Sequence, residues 1–367
     1  MNDRRTTLRG QHILVVSPEP WEGLQLSKHD LARALVERGN EVVFWGPPEA
    51  GRRRVELVDQ GALRQVRYGH WLRGLNRLPR ALHERFYGHL ISRIERLSGR
   101  PFEVIWCFDV TRLQWFPRHR AMKVLHLADH DVLQSHKGSG LASTADAVFT
   151  VTTPLRKEIL RMAPGASVHA VGHLVEDRWL QGIDTGPKAS PVRTVAYAGQ
   201  LATGYIDWEV LHAVITRHSG IAFEFYGPYD LEWPAQKLRE VLQLPNVRLH
   251  GLVERGRLIP ALRAADVLLL CYRADQLKHI VANSHKMLEY LATGNPVVCS
   301  HTEEYSTHRD LLAMAIDRWD FTDLFERTVR DFAINETEER RKARVDLARQ
   351  RSAPVMLERM AQLIAEP

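Results

Sequence analysis

Apolar and polar positions alternate along this chain in a rhythm that is played twice. Ile13-Leu14-Val15-Val16 is a short unbroken apolar run, the pattern of a strand buried on both faces. A loop with two prolines and a glycine follows, Ser17 to Gln25. Leu26 to Arg38 then carries helical spacing at Leu26, Leu31, Leu35 and Val36, and Gly39-Asn40 stops it. Glu41 to Trp45 is the next strand, closed by Gly46-Pro47-Pro48. Further strands are expected over 103–109, 123–128 and 146–152, with a helix from Pro154 to Met162. A polar stretch, Gln181 to Pro191, reads as a linker. The rhythm then restarts with strands over Thr194–Ala198, Ala222–Tyr226, Val247–His250, Val267–Leu270 and Pro296–Cys299. Helices are expected over Trp208–Thr216, Leu258–Ala264 and His285–Ala292. Strands that alternate with helices imply parallel sheets covered on both faces. The fold class expected is therefore α/β, with two Rossmann-like doubly wound domains facing across a cleft. The domain bounds expected are 1–180, 191–345, and a C-terminal helix over 346–367 packing back on the first domain.

A length of 367 residues suits two domains, and 44% hydrophobic with 26% charged residues is ordinary globular composition. No apolar run approaches a membrane span, and the run after the polar N-terminus is too short for a signal-peptide core. Cys107, Cys271 and Cys299 are isolated in apolar stretches, so buried free thiols and a cytoplasmic location are expected. The charge is uneven. Through Val175 there are 26 Lys and Arg against 17 Asp and Glu; beyond it there are 24 against 27, so the first half holds the basic surface.

The segment Ser284-His285-Lys286-Met287-Leu288-Glu289-Tyr290-Leu291-Ala292, followed by Gly294, Pro296, Val297 and Val298, concentrates the chemistry. Asn283 and Ser284 stand just before a helix, where free N–H groups and the dipole favour an anion. Lys286 lies in the first turn, where a cation opposes the dipole; it makes sense there beside a bound diphosphate. Glu289 follows one turn on, at the offset to accept hydrogen bonds from a ribose diol. The plainer alternative is a capped surface helix with a Lys–Glu pair at i,i+3.

This segment resembles the donor-binding half of the GT-B glycosyltransferases, whose pattern there runs K-x-x-EYLA-x-G-x-PVV. Tyr197-Ala198-Gly199 looks like the family's first strand and turn in that half. Ile206-Asp207-Trp208 and Phe225-Tyr226-Gly227-Pro228 are similar to the teichuronic-acid-type and xanthan-type glucuronosyltransferase branches. The resemblance implies a sugar transferase that takes a nucleotide-sugar donor and a glycan or lipid-linked acceptor in surface polysaccharide or glycoconjugate synthesis. It assigns donor binding to Gly199, Gln200, Tyr226, Gly227, Leu252, Tyr272, Ser284, His285, Lys286 and Glu289.

Retaining relatives pair such a glutamate with a second one where Val281 stands here, and they carry cations in the loop that reads Gln200-Leu201-Ala202-Thr203-Gly204. The inverting branch uses an aspartate after a strand of the first domain. The matching loop is His126-Leu127-Ala128-Asp129-His130-Asp131, which makes Asp129 the expected base and His126 its companion in the catalytic site. Asp129-His130-Asp131 is also a D-x-D string, a weak metal signature, and neither metal nor cofactor is expected.

Residues 51–100 hold 12 arginines and no lysine. From His70 to Leu97, Trp71, Leu72, Leu75, Leu78, Leu82, Phe86, Tyr87, Leu90, Ile91 and Ile94 recur at helical intervals. Such a basic amphipathic helix suits an anionic membrane surface, here the inner face of the plasma membrane; the alternative is that its apolar face packs on the core. No nucleic-acid motif is present. Beside an inverting transferase stand a retaining one, a sugar-nucleotide epimerase and a non-catalytic glycan-binding partner.

Overall fold

The first apolar run forms β1 (His12–Val16), all five residues buried, in an eight-stranded sheet. The computed structural model describes residues 7–61, 63–69, 75, 78–128, 138–186, 188, 190–230, 236–277 and 283–365. The sheet continues with β2 (Glu41–Trp45), β3 (Glu56–Gln60), β4 (Leu63–Arg67), β5 (Val104–Cys107), β6 (Met122–Leu127), β7 (Ala147–Thr150) and β8 (Val168–Ala170). Their order is β3-β4-β2-β1-β5-β6-β7-β8, parallel except for the β3–β4 hairpin. That hairpin lies in the arginine-rich stretch 51–100, ahead of the helical spacing read from His70, and no strand was expected there. Its strands, ELVDQ and LRQVR, carry too few apolar residues to announce themselves, because an edge hairpin is only half buried.

The helices of this sheet are α1 (Ser27–Glu37), α2 (Arg80–Ser98), α3 (Gly138–Ala142) and α4 (Thr153–Met162). Thr152 caps α4 by accepting from Leu155 N at 3.2 Å, with Pro154 in the first turn. The apolar face of α2, with Tyr87, Leu90, Ile91 and Ile94, is buried in the core beneath the sheet. This is the alternative named for that helix, its apolar face packed on the core. What α2 turns outward is Leu82, Arg85, His89, Arg93, Arg96 and Leu97. Trp71 and Leu72 lie outside the described residues.

The second sheet holds β9 (Thr194–Ala198), β10 (Ala222–Tyr226), β11 (Val247–Gly251), β12 (Val267–Leu270), β13 (Val297–Cys299) and β14 (Ala313–Met314), in the order β11-β10-β9-β12-β13-β14. All its pairings are parallel. Its helices are α5 (Trp208–Arg217), α6 (Gln236–Leu242), α7 (Arg255–Ala264), α8 (His285–Ala292), α9 (Asp320–Arg330), α10 (Phe332–Asn335) and α11 (Glu338–Arg349). Asp207 caps α5 through Val210 N at 3.3 Å, and its carboxylate also holds Arg318.

The chain divides into two units: 1–174 with 353–367, and 175–352. The polar stretch around Gln181–Pro191 is bound into the second unit. Arg263 donates to Gln181 O at 2.7 Å, and Lys188 donates to Arg263 O at 2.8 Å. Burial lowers the Lys188 ammonium to about 8. The last helix, α12 (Ala353–Ala365), belongs to the first unit. Its Met356, Leu357 and Met360 join Leu31 and Leu35 of α1 in one core cluster, and its Glu358 pairs with Arg38. All three cysteines are buried and free.

Candidate functional site

In an open parallel sheet, ligands bind outside the carboxyl ends of the strands where the strand order reverses. In the second sheet the chain runs outward from β9 to β11, then returns to β12 on the other side of β9. The reversal therefore lies between β9 and β12. Three glycines end the strands on its outer side: Gly199 after β9, Gly227 after β10 and Gly251 at the end of β11. Gly199 N donates to Tyr226 O at 2.8 Å, and Gly227 N to Gly251 O at 2.7 Å. Gly199 has φ +151° and Gly227 has φ +143°, values that favour glycine. Space demands it as well. A Cβ on Gly227 would stand 1.9 Å from Gly199 O, and one on Gly199 would stand 2.1 Å from Lys286 Cε.

That last distance locates the lysine. Lys286 is the second residue of α8, and its side chain crosses from the first turn of that helix to the backbone of Gly199. Among the described residues it forms no ion pair or hydrogen bond. Ser284 occupies the N-cap of α8 without a side-chain capping bond, and His285 opens the helix. Tyr290 fastens α8 to β9: its hydroxyl accepts from Ala198 N at 2.7 Å. Tyr197 donates to Gln200 O at 3.4 Å and is hydrogen-bonded to Tyr272, whose own amide donates to Ser300 Oγ at 2.9 Å. Burial raises the hydroxyls of Tyr197 and Tyr290 well above their ordinary value, so both stay protonated. Tyr226 stacks almost flat on His250, with ring centroids 4.4 Å apart. Leu252, just past β11, is 54% exposed.

The geometry gathers Gly199, Gln200, Gly227, Lys286 and Tyr272 around the reversal point, with Tyr226 at the neighbouring strand end. Glu289 sits one turn along α8 from Lys286. It is buried, and Arg255 Nη2 stands 3.5 Å from its Oε1. Arg255 also pairs with the buried Glu176, which Arg178 approaches at 2.9 Å. Neither Arg255 nor Glu176 was singled out by sequence reasoning, because nothing local to either predicts a partner so far along the chain.

In the first unit, His126 is a buried strand residue of β6. Trp106 Nε1 donates to its Nδ1 at 3.3 Å, and Phe108 stacks on its ring at 4.8 Å. Desolvation, with smaller contributions from His173 and Lys28, pushes its pKa down to about 3. At neutral pH the ring is uncharged, with its proton on Nε2, which makes it a hydrogen-bond donor and a poor base. Asp129, His130, Asp131 and Val281 lie outside the described residues. Among the described residues no group of three His, Cys, Asp or Glu is placed to hold a metal ion.

Residues 207–365 match the family model described as "Glycosyl transferase-like". No curated protein sequence matches the chain. Among solved structures, sucrose-phosphate synthase from Thermosynechococcus elongatus superposes with a TM-score of 0.71 at 14% identity, covering 97% of this chain and 98% of that one. Starch synthase IV from Arabidopsis thaliana, its catalytic domain bound to ADP and acarbose, gives 0.66 at 12%, with 97% and 99% covered. Anabaena HepE, in complex with UDP and glucose, gives 0.64 at 12%, with 97% and 100% covered. Residues 207–365 thus form a glycosyl transferase-like domain, and the two Rossmann-like units have the GT-B fold of these sugar transferases.

Proposed function

We propose that this enzyme moves a sugar from a nucleotide-sugar donor to a glycan or lipid-linked acceptor, with inversion at the anomeric carbon and without a metal. The observation that carries the proposal is Lys286, which lies across Gly199 at the strand reversal with no anion to pair with it among the described residues. A half-buried cation at the start of a helix fits a leaving diphosphate, whose developing charge the helix amides and the ammonium share. Gln200, Tyr226, Gly227, Leu252, Tyr272, Ser284 and His285 surround that group in this reading, and Glu289 accepts from the ribose. The starch synthase structure with ADP and the HepE structure with UDP support a nucleoside diphosphate.

Asp129 takes the proton of the acceptor hydroxyl in this reading. His126, neutral and buried, orients by donating a hydrogen bond. The pathway is surface polysaccharide or glycoconjugate synthesis, carried out in the cytoplasm. Retention is the second reading, because a trehalose-6-phosphate synthase of the same fold transfers with retention. The test is turnover of UDP-, GDP-, dTDP- and ADP-sugars with a crude glycolipid acceptor, followed by NMR of the anomeric proton. Asp129→Asn should cut turnover by about 10²–10⁴-fold with donor affinity intact. Asp131→Asn should leave turnover within a few-fold. A product with the donor's configuration, or a dead Asp131→Asn beside an active Asp129→Asn, refutes the assignment.

A further inference from the structure

Arg255 is the first residue of α7, where a cation opposes the helix dipole, and its side chain is only 9% exposed. Burying a guanidinium there is costly without partners. Two carboxylates supply them, one at the start of the second unit and one in α8. Nη1 pairs closely with Glu176, whose side chain is 5% exposed; Nη2 stands 3.5 Å from Glu289, whose side chain is 11% exposed. Arg178 adds a contact to Glu176 at 2.9 Å.

The clasp is lopsided. The contact to Glu176 is tight, whereas 3.5 Å is the outer limit of a hydrogen bond. Arg255 is therefore anchored on Glu176 and reaches Glu289 at that limit. A guanidinium does this because its planar fork reaches two carboxylates at fixed angles; a lysine ammonium, being a point charge, does not.

We propose that Arg255 is a positioning residue for the donor. Anchored by Glu176, it holds the Glu289 carboxylate in the one orientation from which it accepts hydrogen bonds from the ribose diol of a nucleoside diphosphate. This rests on the ribose role of Glu289 stated above, and the experiment separates the two. UDP, ADP and GDP are screened by calorimetry, and the tightest binder is compared with its 2′-deoxy and 3′-deoxy forms. In the wild type each lost hydroxyl weakens binding by about tenfold or more, the range for a hydrogen bond to a charged group. Arg255→Lys keeps the buried charge and is the variant expected to fold; its discrimination between ribose and deoxyribose falls to about twofold, while its affinity for the deoxy forms stays at the wild-type level. A purely structural arginine would leave the discrimination unchanged or weaken all the nucleotides alike, and either outcome overturns the proposal. Glu289→Gln is the companion. Discrimination lost in Glu289→Gln and intact in Arg255→Lys defeats the positioning role alone. Discrimination intact in Glu289→Gln defeats the ribose assignment beneath it.

Discussion

Lys286→Ala tests the proposed donor site most directly, because the structure lets its effects on stability and binding be separated. On the stability side, the ammonium has no protein partner among the described residues, so its removal orphans no carboxylate. The alkyl stem packs over Gly199, and a half-buried stem is worth about 1 kcal/mol. Against that loss stand the better helix propensity of alanine and the removal of a first-turn cation, which together return about 0.5–1 kcal/mol. Stability should therefore stay within about 1 kcal/mol of the wild type. On the binding side, a charge-assisted contact to phosphate contributes about 1.5–3 kcal/mol, or roughly ten- to hundredfold in Kd. Calorimetry with a nucleoside diphosphate and with the matching nucleoside, at constant ionic strength, reads the difference. The diphosphate should weaken by that factor and the nucleoside should not change. Equal losses for both ligands, or a diphosphate Kd like the wild type's, would refute a phosphate role for Lys286. A fall of several kcal/mol in stability would show that the side chain is structural.

Three further expectations follow from particular contacts. Gly227→Ala should lower stability by about 2 kcal/mol or more, since its Cβ collides with Gly199 O and its φ is left-handed, whereas Gly204→Ala, in open space, should be nearly neutral; equal denaturation midpoints for the two would contradict the stitched-turn geometry. His126 folds neutral with its pKa pushed down to about 3 from the ordinary 6.5, so its contribution is fully present above about pH 6.5 and is lost as pH falls toward 3. Between pH 7 and pH 5 that loss is about 2 kcal/mol, and His126→Asn, which keeps an acceptor for Trp106, should remove it from the difference in stability between the two pH values; an unchanged difference would show that the ring is not buried uncharged. Finally, Arg85 and Arg96 on the outward face of α2 should draw the protein to vesicles of phosphatidylcholine with phosphatidylglycerol, and not to phosphatidylcholine alone. Their double change to glutamine should weaken partition about thirtyfold at ~1 kcal/mol per arginine, and wild-type-like co-sedimentation of that variant would place the contact elsewhere.

Much of the fold was legible because it is local. β1, β2, β9 and β12 are runs of apolar residues too short for anything but buried strands, and α8 announces itself by spacing, cap and closing glycine. Within α8, the one-turn offset between Lys286 and Glu289 follows from helix geometry alone, so the sequence determined that the two lie near one another. The β3–β4 hairpin was hidden because its edge strands bury only part of their surface and so need few apolar residues. The α2 helix carried an apolar face in its sequence, but a membrane and a protein core select the same residues, and only packing decided between them.

Residue types and periodicity fix what each segment can bury and which groups it can offer. They do not fix which distant backbone those groups will meet. The passage of Lys286 over Gly199 depends on β9 and β12 being neighbours across the strand reversal. The clasp of Arg255 on Glu176 and Glu289 needs the start of α7, the start of the second unit and the middle of α8 brought to one point. The neutral state of His126 arises from Trp106, Phe108 and Phe149, which exclude water from the ring. In each case the deciding quantity is the solvation and charge around a side chain, and that is set by residues remote in sequence, which only the folded chain assembles.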